Sequence, residues 1–163
     1  MSKRPSLLRS RIAFKEVYEG VNKTVSGVGE KIGGKVDYNI NGLTAAQGRF
    51  ENACAIRMSY VLNKTGTKIP FIKGKTVSGG GGNWYIYKVK DIIKFLHEKF
   101  GEPDITVNDP MPSDFSDYQG ILVVEVSEWV DASGHATIWT GLQCTDHCYF
   151  PKANKAYLWT LKD

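Results

Sequence analysis

Residues Ile121-Leu122-Val123-Val124-Glu125-Val126 constrain most strongly what this chain can fold into. A continuous apolar run this short reads as a central strand, buried on both faces, so other elements must cover it from two sides. The residues that follow suit that demand. His135-Ala136-Thr137-Ile138-Trp139-Thr140-Gly141 alternates, with His135, Thr137 and Trp139 on one face and Ala136 and Ile138 on the other. Trp129 to Gly134 turns the chain between these two strands, and Tyr157 to Leu161 is a final strand. Upstream the period is helical. Val89, Ile92, Ile93, Leu96 and Phe100 make one face of a helix over Lys88 to Phe100, stopped by Gly101 and Pro103. His97 lies beside that face with no evident partner and reads as a surface or boundary histidine. Phe14, Val17, Val21, Val25, Val28 and Ile32 form a second stripe, read as one glycine-interrupted helix over 12–32 that Gly33-Gly34 ends. Val36 to Ile40 alternates like a short strand, Lys64 to Lys75 is turn-rich, and Asp109-Pro110-Met111-Pro112-Ser113 is a rigid loop. Helices first and an antiparallel meander last predict an α+β fold with N-terminal helices packed on the sheet.

A length of 163 residues predicts one domain, 1–163, large enough to bury a real core. The apolar and charged fractions exclude a disordered or membrane-spanning chain. A net charge of +4 favours an anionic partner, yet Lys and Arg are scattered and no dense basic block points to nucleic acid. An anionic cell-wall polymer suits the charge equally well. The basic start, Met1 to Arg11, lacks the apolar run of a signal peptide, and no stretch is long enough to cross a membrane. The expectation is a cytoplasmic protein, or one exported by a route that reads no cleavable signal. Three cysteines leave at least one unpaired.

Chemistry concentrates in Gln47 to Asn63, where a polar run gives way to a helical pattern. Asn52 is a good N-cap residue, and Cys54, Met58 and Val61 follow at i, i+4 and i+7, which puts Cys54 in the first turn. Unpaired N–H groups and the helix dipole favour an anion there, and a thiolate is the nucleophilic form of cysteine. The competing reading is a small apolar side chain packed in the core. A base is available in His135, which opens a strand after a glycine turn, with its imidazole exposed at a sheet edge. The best candidate for its orienting group is Asp146, with Asp131, four residues before His135, as the rival. Cys144-Thr145-Asp146-His147-Cys148 admits a disulfide, reduced packing, or zinc held with His147 and His135, the last awkward because two adjacent residues would share one metal. Ser78 to Asn83 carries four glycines without the Lys and Ser/Thr of a phosphate loop, and Gly74-Lys75-Thr76 has Ile69 where that motif needs glycine, so nucleotide binding is rejected. The Gly79 to Gly82 loop reads as a flap, a close-approach loop or a plain connector. No Gly-x-Ser-x-Gly elbow occurs, and Ser59 falls inside the cysteine helix rather than at its start.

Four ordered blocks carry a family resemblance: Ile32-Gly33-Gly34-Lys35-Val36, Asn52-Ala53-Cys54-Ala55-Ile56-Arg57-Met58-Ser59, Gly134-His135-Ala136-Thr137-Ile138-Trp139 and Cys144-Thr145-Asp146-His147-Cys148. Together they resemble the type VI secretion amidase effectors of the fourth family, from about Gly33 to Asp163, and Arg4-Pro5-Ser6 is similar to the family's start. Nothing is carried over to Phe14–Lys31. The resemblance implies a papain-like fold and a cysteine amidase that cuts peptidoglycan stem peptides between D-glutamate and meso-diaminopimelate. It implies Cys54 as nucleophile, His135 as base, Asp146 as orienting acid, and a Cys144–Cys148 disulfide that forms only after delivery. It also implies carriage by type VI secretion components into a rival's periplasm, and a cognate immunity protein that plugs the active site. No cofactor, metal, nucleic acid or membrane partner is expected. The alternatives are a cysteine peptidase acting on proteins and a non-catalytic wall-binding module.

Overall fold

The computed structural model describes residues 3–127 and 134–163. The turn expected from Trp129 onward, and Asp131 with it, lies outside the described residues. The chain opens with helix α1, Leu7–Val17, whose N-cap Ser6 accepts a hydrogen bond from the Arg9 N–H. The single helix expected over 12–32 does not form. Asn22 and Lys23 take left-handed backbone after a short 3-10 turn, and a second helix, α2 (Val25–Ile32), starts afresh on its own cap, Thr24. The break has a packing reason. It lets Val17 from one helix and Val28 and Ile32 from the other converge on one core cluster with Ile56 and Tyr85, which one straight rod cannot do.

The strand expected at Val36–Ile40 is also helical: α3, Gly34–Asp37, runs into a wide turn over Tyr38–Gly42. Val36 and Ile40 are four residues apart as well as even-spaced, and both enter that cluster, so burial decided between two periods the pattern allowed. Gly34 has φ +58° and lies against the glycine loop, where a Cβ would meet the Gly79 carbonyl carbon at 2.6 Å. The close-approach reading of that loop is therefore the observed one.

Helix α4, Cys54–Lys64, is buried on nearly every side. Its polar residues are bonded accordingly. Ser59 Oγ donates to Ala55 O and accepts the Ile86 N–H at 2.9 Å, while Asn63 spans Trp84 O and the Ile69 N–H. These bonds hold a small antiparallel pair, β1 (Thr76–Ser78) and β2 (Trp84–Ile86), joined across the glycine loop. Helix α5, Val89–Phe100, follows as expected and ends at Gly101. His97 has partners after all. Its ring sits edge-on to Trp159 at 5.4 Å, and Nδ1 lies 3.6 Å from Glu102.

The main sheet holds four antiparallel strands: β3 (Ile105–Asn108), β4 (Gly120–Glu125), β5 (Gly134–Trp139) and β6 (Lys155–Thr160), in the order β3-β6-β4-β5. It is not a meander. After β5 the chain crosses to the other side of β4, and β6 pairs with both β4 and β3. Strand β3 escaped the pattern reading because Ile105-Thr106-Val107 is short and hemmed by Pro103 and Asp109-Pro110. Strand β4 is central: Ile121 and Val123 face the helices, and Leu122 and Val124 face a second cluster with Phe115, Trp139 and Phe150. The result is an α+β, papain-like arrangement, with a buried cysteine helix packed on an antiparallel sheet. Among the described residues, no helix is long and apolar enough to cross a membrane. Gly34→Ala is expected to lower stability by about 2 kcal/mol, through left-handed strain and the contact with Gly79. Urea unfolding checks it, and a parental midpoint would mean that the two loops do not touch.

Candidate active site

Cys54 is the first residue of α4. Ala53 occupies the cap position, and Asn52, the expected cap, instead accepts the Cys54 N–H on Oδ1 at 2.9 Å. The thiol is buried and donates to Gly134 O over 3.9 Å. Gly134 sits there because β5 runs hard against β4: a Cβ would fall 2.0 Å from Val124 O. That contact places the next residue, His135, directly beside the cysteine.

His135 lies on an edge strand, as expected, but its ring is buried rather than exposed. Nε2 bonds Asp146 Oδ2 at 2.8 Å, which leaves Nδ1 as the ring nitrogen free to act on Cys54, whose charge the imidazole feels. Burial works to lower the imidazole pKa. The hydrogen bonds and charges of Asp146 and Cys54 outweigh it and push the value up to about 9 from 6.5. For Asp146, burial raises the pKa, but His135, the Thr137 hydroxyl and the His147 N–H hold it below the ordinary carboxylate value. Thr137 Oγ1 donates to Asp146 Oδ1 at 2.6 Å. Tyr149 closes the site, its ring edge-on to His135 at 4.8 Å.

Cys144 and Cys148 are bonded to each other, with Cα atoms 5.4 Å apart, and the loop they close carries Asp146. Their sulfurs are thus not zinc ligands, and among the described residues no group of three or more His, Cys, Asp or Glu side chains could hold a metal. A backbone bridge from Cys144 to Trp139 fixes the same loop to the end of β5.

The site opens into two cavities that share Glu51 and Asn52. One, about 470 Å³, runs from Cys54 past Phe50, Tyr87 and the cations Arg49, Lys88 and Lys90. The other, about 300 Å³, lies on the histidine side among Tyr18, Lys23, Arg57, Asp146 and Tyr149. Sequence reasoning brought in Cys54, His135 and Asp146, and the structure brings these three together. It passed over Thr137, Tyr149 and Arg57. Thr137 could have been found, since it shares the face of His135 two residues away. Arg57 carried a weaker signal, a charge inside an otherwise apolar helical pattern. Such an arrangement can generate a thiolate–imidazolium pair next to a groove with cationic walls.

Residues 50–159 match the sequence model of the family described as type VI secretion system (T6SS), amidase effector protein 4. Among solved structures, the effector Tae4 from Salmonella typhimurium, in complex with the immunity Tai4 from Enterobacter cloacae, is 42% identical. The alignment covers 97% of this chain and 99% of that one, with a TM-score of 0.85. The type VI effector Tae4 from Enterobacter cloacae is 40% identical over 99% of this chain and 100% of that one, with a TM-score of 0.86. The type VI effector–immunity complex Tae4-Tai4 from Enterobacter cloacae is 39% identical over 98% and 100%, also with a TM-score of 0.86. Such coverage takes in nearly all of the N-terminal helices to which the sequence resemblance carried nothing over. No curated protein matches the chain.

The His135 pKa is higher folded than unfolded, so its contribution to stability is full below about pH 6.5 and is lost as pH rises through about 9. The Asp146 contribution, with its sign reversed, is present above the ordinary carboxylate pKa and lost as pH falls through the lowered value. The melting temperature should therefore fall by several degrees between pH 6.5 and 9, and Asp146→Asn should flatten that slope; a flat parental profile would rule out the charged pair. Replacing Cys144 and Cys148 by serine should cost about 2 kcal/mol, a small figure because the loop is short. Intact-mass measurement of aerobically stored protein should find one free thiol after denaturation, and three would contradict the cross-link.

Proposed function

The chain belongs to the type VI secretion amidase effector 4 family, and from that premise we propose that it is a cysteine amidase cutting the γ-D-glutamyl–meso-diaminopimelate bond of peptidoglycan stem peptides. The observation that carries this reading is the continuous chain of contacts from the buried Cys54 thiol through His135 to Asp146, opening on a groove. A thiol beside a protonated imidazole that a carboxylate orients is suited to acyl transfer from an amide.

The Cys54 thiolate adds to the glutamyl carbonyl carbon, and the oxygen takes the negative charge. That oxyanion is held by N–H groups at the start of α4, where Asn52 Oδ1 occupies the Cys54 N–H until substrate enters. The carbonyl re-forms, the C–N bond breaks, and His135 gives its proton to the departing diaminopimelate amine. Water then loses a proton to His135 and attacks the thioester. The C–S bond breaks, releasing the glutamate γ-carboxylic acid, which loses its proton to solvent, and restoring the thiolate beside protonated His135. Asp146 holds the ring in the required tautomer throughout, and Thr137 holds Asp146.

In this reading residues 1–163 form one amidase unit, delivered by type VI secretion into the periplasm of a rival cell, where loss of cross-linked wall causes lysis. The Cys144–Cys148 bond fits that route, because it forms in an oxidising compartment and the reduced chain is made in a reducing one. A cognate immunity protein occludes the groove in the producing cell, as the Tae4–Tai4 complexes suggest by analogy. The positive net charge aids encounter with an anionic polymer without selecting the bond.

Incubation with muropeptides should yield one fragment ending in D-glutamate and one beginning with the free amine of diaminopimelate, identified by mass. Cys54→Ala should abolish both products, and Asp146→Asn should lower kcat by about 100- to 10,000-fold. Parental rates in Cys54→Ala would remove the nucleophile. Digestion of unfolded protein without muropeptide products would favour a protein peptidase instead.

A further inference from the structure

Arg57 is a buried charge that the reaction does not use. It lies three residues beyond Cys54 on α4 and is 7% exposed. Its Nε donates to Val17 O at 3.2 Å, and its guanidinium lies over the Tyr18 ring, 5.1 Å from the centroid. A guanidinium carries five N–H donors and stays charged in proteins. The Val17 carbonyl takes one, and among the described residues the four on the terminal nitrogens have no hydrogen-bond acceptor and no carboxylate within ion-pair distance. Burying a cation in this state is costly unless something else completes it.

What those donors border is the 300 Å³ cavity on the histidine side. The two carboxylates along its wall are already engaged, Asp146 by His135 and Thr137, and Glu51 by Arg49 at 2.9 Å. A second cation, Lys23, stands at the rim, with Nζ 5.7 Å from the Tyr18 ring centroid. Among the described residues, the cavity therefore presents a buried, forked donor and a flexible one, with no free acid to satisfy either. That is the chemistry of a carboxylate site, since a guanidinium fork matches the two oxygens of a carboxylate.

Resting on the function proposed above, we propose that Arg57, with Lys23 at the rim, forms the subsite for the leaving residue and takes the carboxylate at the side-chain end of diaminopimelate. The side follows from the histidine. His135 hands its proton to the departing amine and borders this cavity, so the residue that carries the amine occupies it. The glutamyl side then runs along the 470 Å³ cavity beyond Cys54. Diaminopimelate differs from lysine by that one carboxylate. A lysine stem brings an ammonium towards a buried cation and offers it no oxygen, so the subsite selects against it.

The test is cleavage of two stem tetrapeptide muropeptides, identical except for meso-diaminopimelate or L-lysine at the third position. The parent should prefer diaminopimelate by about 100-fold in kcat/KM, the scale of a lost charge-assisted pair. Arg57→Gln should bring the ratio near one, with the change mainly in KM for the diaminopimelate peptide. Lys23→Gln should lower the ratio by about threefold. A purely structural Arg57 would slow both peptides alike, and an unchanged ratio in Arg57→Gln overturns the subsite. Should circular dichroism find Arg57→Gln unfolded, Arg57→Lys decides: it keeps the charge but not the fork, and a parental ratio overturns the proposal. Equal cleavage of both peptides by the parent overturns the subsite alone, whereas cleavage of neither overturns the amidase reading with it.

Discussion

Helix α4 is buried almost all round, and Ser59, Asn63 and the Arg57 Nε each find their partner inside the protein. These pairings organise its neighbours. Ser59 can be satisfied only if the backbone at Ile86 runs beside it, which fixes the small β1–β2 pair. Asn63 demands both Trp84 O and the Ile69 N–H, which anchors the turn-rich segment after the helix. Arg57 reaches Val17 O, which ties the end of α1 to the middle of α4. An unpartnered buried polar group costs about as much as several good contacts supply, so these bonds specify position as well as add stability. With its flanks held in this way, the helix has little freedom to shift, and the thiol at its first residue is held against Gly134.

The same low-dielectric setting makes the site an electrostatic unit. Cys54, His135 and Asp146 interact in sequence, and the Arg57 charge acts on both ends of the series. In such surroundings the position of one proton depends on every neighbouring charge. Strand β5 is an edge strand, an exposed template that proteins usually cover or interrupt. Here the loop beyond it folds back, held by the Trp139–Cys144 bridge and the Cys144–Cys148 bond, and presents Asp146 to the histidine. Covering the edge and orienting the imidazole are achieved by one segment.

Two cavities meet at Glu51 and Asn52, beside the cysteine, and their linings differ in a way that suits an asymmetric substrate. The larger offers a stacked aromatic pair, Phe50 on Tyr87 at 4.9 Å, with lysines around it. The smaller offers a buried guanidinium and a histidine. One side is built for apolar area with peripheral charge, the other for a defined anion, and Asn52 lies where they join.

Much of this was legible in the residues alone. The helix over Val89–Phe100, the alternating strand from His135 and the helix beginning at the cysteine each repeat one period over enough residues to exclude the other, while the strand at Ile121 shows in the shortness of an unbroken apolar run rich in β-branched residues. The candidate residues Cys54, His135 and Asp146 were legible because their types are few and their flanking signals local. Short or ambiguous segments were not. Val36 and Ile40 fit both periods, and the stripe over 12–32 continued across a break that only left-handed Asn22 and Lys23 reveal. Strand order was hidden as well, because pairing β6 between β3 and β4 depends on contacts between residues far apart in sequence. The same distance hid Arg57, whose significance lies in what it touches. The sequence by itself determined the longer elements and the nucleophile–base–acid candidates, since these follow from local periodicity and side-chain chemistry. Only the tertiary structure decided which polar groups are satisfied and which are left over, because burial and hydrogen bonding are properties of the packed whole.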